Sequence, residues 1–353
     1  MKKRLMIFMV FLLAGAGFAQ TAGSADKQYL MDAVSVSGLL EAEAAYENND
    51  FDDPATPDEE NSDIVLATME LGLDADLSDH VSGHVLFLWE EDDTEPVDID
   101  EGYITLSGGP GNQYRLQAGK FYVPFGNFNT AFVSDPLTLE LGETRESAVL
   151  GGYSAEFMAF RAGVFNGDVD ETAETDDHVE HFFGAADFRL PEQAIPGVGI
   201  TCGISYISSI ADSDVLSENV NDADDDGEPD ISNTVGGVSA YISAGAMERF
   251  FLELEYITAT SDFAAGEIDG SPVAPRPRAW NVEFSGLIAG SAGAGIQYAG
   301  SDDCGDFLPE TRYGAVFFLE PFERTWFGVE YLRDEYENND KADTVTAQLA
   351  CEF

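Results

Sequence analysis

Basic residues are scarce in this 353-residue chain: 16 Lys and Arg stand against 67 Asp and Glu, a formal net charge of −51. Repulsion of that size excludes nucleic acid as a partner. Cysteine is scarcer still. Cys202, Cys304 and Cys351 are too few for a disulfide-stapled scaffold; two read as small residues on strand faces, and Cys304 falls in the acidic loop 301–306. His80, His84, His178 and His181 read as surface residues rather than metal ligands. No Ser–His–Asp arrangement, nucleotide-binding loop or Cys–His zinc spacing is present, so no enzyme is expected. Beyond the first twenty residues no apolar run approaches the roughly 18 needed for a membrane-spanning helix. No linker, heptad or fixed-period repeat divides the chain.

What is present begins with Lys2, Lys3 and Arg4, followed by an apolar stretch from Leu5 to Phe18 and small residues at Gly17 and Ala19. This is the pattern of a secretory signal peptide over 1–19, cleaved after Ala19. Its loss takes the net charge to about −54. Residues 20–33 read as a short periplasmic leader.

From residue 34 onward the dominant signal is alternation. Val81, Gly83, Val85, Phe87 and Trp89 alternate with polar or small residues, as do Phe250, Leu252, Leu254 and Tyr256. The last strand sets Val345, Ala347, Leu349, Cys351 and Phe353 against Thr346, Gln348, Ala350 and Glu352, and it stops on an aromatic residue. Sixteen strands are predicted, near 34–46, 64–77, 81–90, 98–107, 113–121, 148–154, 157–166, 181–190, 197–209, 234–246, 248–259, 277–288, 291–300, 312–320, 324–333 and 343–353. The segment 148–166 is the weakest, because both of its faces are apolar or small.

The joints sort by parity. Connections after even-numbered strands are short; those after odd-numbered strands are long or acidic, at 47–63, 122–147, 167–180, 210–233, 260–276, 301–311 and 334–342. Tight periplasmic turns and long external loops are the habit of a transmembrane antiparallel β-barrel. The expected fold is therefore an all-β barrel over 34–353, with both termini periplasmic in the bacterial outer membrane. Outer-membrane lipid and lipopolysaccharide are its expected surroundings. A homotrimer is left open, since alternation does not show which strands would carry the contact. The acidic loops either draw cations to a pore mouth or reflect a saline habitat; charge alone leaves both readings open.

The third external loop, 119–146, is too rich in Phe, Val and Leu to be a solvated loop. Folded into the lumen it would narrow the pore; packed over the mouth it would act as a lid. Pro124 and Pro136 break strand pairing and let the chain turn inward, and Ser134-Asp135 is placed to cap a short helical turn.

Gly119-Lys120, Val123-Pro124-Phe125-Gly126 and the run from Val133 to Thr144 resemble the siderophore porin family typified by the LbtU outer-membrane receptor. The resemblance implies a sixteen-stranded barrel linked to ferric-siderophore uptake. About fourteen residues precede the first strand, far short of the plug domain of an energised receptor, so passive diffusion of a small solute is the expected mechanism. A general cation-preferring porin is the alternative.

Lys120, Phe125, Phe128, Asp135, Glu140, Glu143, Arg145 and Arg161 are the candidate constriction residues. In one reading Asp135, Glu140, Glu143 and Glu146 oppose Lys120, Arg145 and Arg161 across a transverse field. In the other, Arg145 only neutralises its neighbours. The 13 basic residues left after cleavage do not make the basic ladder a phosphate-selective pore needs. Asp222, Asp224, Asp226 and Asp230 have the spacing of a calcium loop, although Asn233 stands where a bidentate Glu belongs. Calcium in this external loop is thus the one cofactor considered.

Overall fold

The computed structural model describes residues 33–353 except 92–95, 173–177, 192–193, 222–228, 269–272 and 306. The signal peptide and nearly all of the leader lie outside the described residues, as do Asp222, Asp224 and Asp226.

The strands are β1 (Val34–Asp50), β2 (Glu59–Ser78), β3 (Val81–Trp89), β4 (Asp98–Gly108), β5 (Tyr114–Tyr122), β6 (Arg145–Ser154), β7 (Met158–Phe165), β8 (Asp170–Glu171), β9 (His181–Arg189), β10 (Val198–Ile207), β11 (Asp230–Ile231), β12 (Gly237–Ala246), β13 (Phe250–Ala259), β14 (Arg278–Ala289), β15 (Ala292–Asp302), β16 (Thr311–Phe322), β17 (Thr325–Glu335) and β18 (Lys341–Glu352). Sixteen of them form one closed antiparallel barrel in chain order. The two-residue strands β8 and β11 pair separately, in parallel, and join the fourth external loop to the fifth.

Closure comes from β18 on β1, in register from Leu39 opposite Glu352 to Asp50 opposite Lys341. The Phe353 N–H donates to the Gly38 carbonyl at 3.0 Å, and the Phe353 ring covers Gly38. A Cβ at position 38 would lie 2.3 Å from that ring, so a larger residue there would displace it.

The alternation resolves into an apolar outside and a polar inside. On β15 Ile296 is 63% exposed, while its neighbour Gln297 is 6% exposed. Ile104, Leu116, Val149, Phe160, Phe284 and Phe317 likewise face outward, and Gln117, Glu255, Asn281, Glu283, Glu330 and Gln348 are buried inside. This is the inverse of a soluble sandwich, whose apolar faces turn inward. No described helix is long and apolar enough to cross a membrane.

Each predicted strand is present, and the long connections gather at one end of the barrel. The predicted loop 47–63 is mostly strand, because β1 and β2 keep pairing to Asn49 opposite Glu59. Both faces there are polar, so alternation carries no signal. The weak segment 148–166 does form β6 and β7. Its inner face is apolar because Ala148, Leu150 and Phe165 bury against the external loops. Those loops bring a hydrophobic core inside the barrel mouth, built around Phe121, Phe125, Leu137, Leu141, Ile207 and Ile257. Cys304, placed by sequence in an acidic loop, is buried in this core. All three cysteines are free.

Candidate pore constriction

The loop between β5 and β6, residues 123–144, folds into the lumen and runs along the inner wall. The Val123 N–H donates to the Thr144 carbonyl at 2.9 Å and closes its base. Gly126 has φ 87, and a Cβ there would strike the Phe128 ring at 2.3 Å; glycine makes the inward turn possible. Phe128 itself has φ 54, an uncommon conformation for a bulky residue.

A series of strand carboxylates holds the loop in place. The Gly126 N–H donates to the Ser205 hydroxyl on β10 at 3.1 Å. Glu255 of β13 accepts the N–H groups of Asn127 (2.6 Å) and Phe128 (2.9 Å), and the Thr138 hydroxyl at 3.1 Å. Glu283 of β14 accepts the Thr130 hydroxyl (2.7 Å) and the Ala131 N–H (2.8 Å). Glu330 of β17 accepts the N–H groups of Val133 (2.7 Å) and Ser134, and the Ser134 hydroxyl. Charge-assisted bonds of this kind contribute about 1.5–3 kcal/mol each.

The loop ends in helix α1 (Leu137–Gly142), whose buried Leu137 and Leu141 pack into the mouth core. The expected cap is corrected: Pro136 occupies the N-cap position without a side-chain bond, and Ser134 is spent on Glu330. Phe125 is corrected too: it is fully buried in the core and anchors the loop, while the partly buried Phe128 packs against that core.

The opposed-charge reading is not the one the geometry assembles. Arg145 pairs with Asp100, which also accepts the Tyr122 hydroxyl at 3.1 Å. Asp100 is the extra residue of a bulge in β4. Arg161 pairs with Asp187 on the neighbouring strand β9. Lys120 is half-buried and has no ion pair among the described residues. Glu146 is buried behind the loop, near Asp168, Asp212 and Asp214.

Apart from Lys120, what remains uncancelled is acidic. Asp135 opens onto the lumen. Enclosure by the barrel, then Glu140, Glu41, Glu43 and Glu330, push it up to about 7. Glu143 is raised further, to about 9, by burial and by Asp135, Asp214, Asp100 and Glu140. Burial also raises Glu140, and Arg312 pulls it back. Of the loop acids, Asp135 is the one that comes near Glu41 and Glu43 on β1.

Sequence reasoning missed Glu255, Glu283, Glu330, Asp100 and Arg312. Arg312 is held by Asp334 through two bonds of 2.8 Å and donates to the Asp135 carbonyl at 3.3 Å. The available signal was an acid at an inward position where Ser, Asn or Gln would satisfy a wet wall. His84, expected at the surface, is buried in the lumen wall, 2.7 Å from Asp74 and 3.6 Å from Glu101. Asp230 lies buried in β11. Among the described residues no group of three or more His, Cys, Asp or Glu is arranged to hold a metal.

No protein-family model matches the chain. It is similar to UPF0422 proteins: 22% identical to one of Legionella pneumophila over 92% of this chain and 67% of the relative, and 24% identical to one of Coxiella burnetii over 86% and 64%. The chain thus spans about two thirds of the length of these relatives, whose names state no cargo. Among solved structures it is similar to the outer membrane channel DcaP of Acinetobacter baumannii, with TM-score 0.62, 14% identity and 91% and 97% of the two chains covered. An anion-selective porin from Comamonas acidovorans gives TM-score 0.62, 12% identity and 91% and 99% coverage. A trimer form of OmpT of Vibrio cholerae gives 0.50, 12%, 91% and 100%. At these identities the likeness is one of fold: the chain is a sixteen-stranded barrel of the kind outer-membrane porins adopt, with its third loop folded inside.

Proposed function

We propose that this protein is a channel of the bacterial outer membrane, through which small solutes diffuse passively and cations pass in preference to anions. The observation that carries the reading is the inward loop. It is bolted to the β10–β17 wall and presents Asp135 toward Glu41 and Glu43 of β1, with Glu140 and Glu143 beside it, while Arg145 and Arg161 are spent on acids of their own wall. A fixed field of one sign across a narrow passage concentrates counter-ions and repels co-ions. The structurally similar porin described as anion-selective shares the fold, so charge preference follows the lining and not the barrel.

The finer reading is substrate-selective uptake of a ferric siderophore, which rests on the resemblance of residues 119–146. An acidic passage narrows that cargo to a chelate without net negative charge. A general cation-preferring porin with no specific solute is the alternative. Transport, with no chemical step, is assigned in either case. The long loops face outward, both termini face the periplasm, and a homotrimer is a further proposal supported by the fold shared with trimeric OmpT.

Planar-bilayer recording of the detergent-extracted protein tests this. The reversal potential in a salt gradient should have the sign of cation flow. A cationic or neutral ferric chelate should block conductance saturably, and an anionic one should not. Anion selectivity would sink the proposal. Cation flow without saturable block by any chelate would leave the general porin.

A further inference from the structure

A second group of buried charges lies at the external mouth, away from the constriction. The Asp212 side chain, in the loop after β10, has no exposed surface. Its Oδ1 accepts the N–H groups of Asp168 and Val169, each at 2.9 Å, and so pins the loop after β7. Gly167 makes the approach possible, since a Cβ there would lie 2.4 Å from Oδ1. Oδ2 has no hydrogen-bond partner among the described residues.

Facing Oδ2 at 3.6 Å is Nε2 of His181, the first residue of β9. Its side chain is only 15% exposed, and its ring leans on Phe165 at 5.2 Å. The surface position expected from sequence is thus corrected. The other charged groups around the pair are acids: Glu171 of β8 beside His181, with Glu146 of β6 and Asp168 beside Asp212. A buried carboxylate with one oxygen unpaired is costly, and imidazolium is the counter-charge at hand.

The same segment reaches the root of the constriction loop. The Asp214 N–H donates to the Glu143 carbonyl at 2.8 Å, and the Asp214 carboxylate accepts the Arg145 N–H at 3.1 Å. We propose that His181 and Asp212 form a proton-dependent latch that ties the fourth and fifth external loops together and holds them against the return of loop three. With His181 protonated, Oδ2 is paired and the latch is closed. With His181 neutral, the counter-charge to Oδ2 is lost and the two loops loosen. Burial raises the Asp212 carboxyl above the ordinary carboxylate range, and His181, Ser209 and the two N–H donors pull it part of the way back.

The test is hydrogen exchange with mass spectrometry on the full chain in micelles, at roughly pH 5.5 and 8.5, which bracket the ordinary histidine range. Peptides covering 166–172 and 208–214 report the latch after correction for intrinsic exchange. Wild-type protection there should fall about tenfold or more at the higher pH. His181→Gln should remove the pH dependence, and Asp212→Asn should lower protection at both values. Equal wild-type protection at the two pH values, or a pH dependence that survives His181→Gln, overturns the latch. Heat-modifiable gel migration confirms a closed barrel, and the wild-type comparison decides alone where a variant does not fold. The readout does not depend on ion flow, so it stands or falls apart from the channel reading.

Discussion

Along the wall from β13 to β17, Glu255, Glu283 and Glu330 lie beneath loop three, and each accepts N–H or hydroxyl donors from it. Further round the ring, past β18, Glu41 and Glu43 of β1 and Glu70 of β2 are only half-buried and take no donor from loop three; Glu43 accepts the Gln348 side-chain N–H of β18 at 2.8 Å. The residue type is the same and the position on an inward face is the same. Only the cover differs. A carboxylate capped by amide donors acts as a bracket, whereas one left facing water contributes its field to whatever passes.

The largest effect should come from stripping the brackets. Glu255→Ala with Glu283→Ala leaves the N–H groups of Asn127, Phe128 and Ala131 without partners, at about 1–3 kcal/mol for each group that stays buried. Single-channel conductance should rise and become noisy, and exchange at 126–134 should accelerate. Unchanged conductance would show that the apolar core alone holds the loop.

Next in size is the field itself. Asp135→Asn with Glu140→Gln should keep conductance close to wild type and reduce the cation-to-anion permeability ratio severalfold. A ratio that does not move would place selectivity on the outer loops.

A smaller, graded effect follows from titration. Asp135 is raised from 3.8 to about 7 and Glu143 from 4.5 to about 9. Cation preference should therefore weaken as pH falls from about 9 through 7, since both acids take up protons over that span. Stability runs the other way. A carboxyl that keeps its proton longer when folded than when unfolded adds stability at low pH and loses it as pH rises between its two pKa values. Closure of the loop should thus be firmest in mild acid, which thermal melts across that range would check. The smallest change belongs to Arg161→Gln. Its charge is already cancelled by Asp187 in a partly exposed pair, so the reversal potential should stay near wild type.

Most of the barrel was legible because lipid and water impose a two-residue period that no other constraint on these strands erases. The register ends of β1 and β2 were not, since both faces there are wet. Loop three betrayed its burial through Phe125, Leu137 and Leu141, because apolar density without alternation has to pack somewhere. The candidate basic residues betrayed much less: Arg145 of β6 pairs with Asp100 two strands away on β4, and Arg161 of β7 with Asp187 on the adjacent β9, partners distant in sequence.

By itself the sequence determined which strand faces are apolar, how many strands there are, which end carries the long loops and which loop has to pack against the rest of the protein. Each follows from local periodicity, length or composition. Only the tertiary structure decided which acids are brackets and which are lining, that Phe125 is an anchor, and that His181 meets Asp212. Those roles depend on which groups shield one another from water, and closing sixteen strands into a ring sets that for residues far apart in the chain.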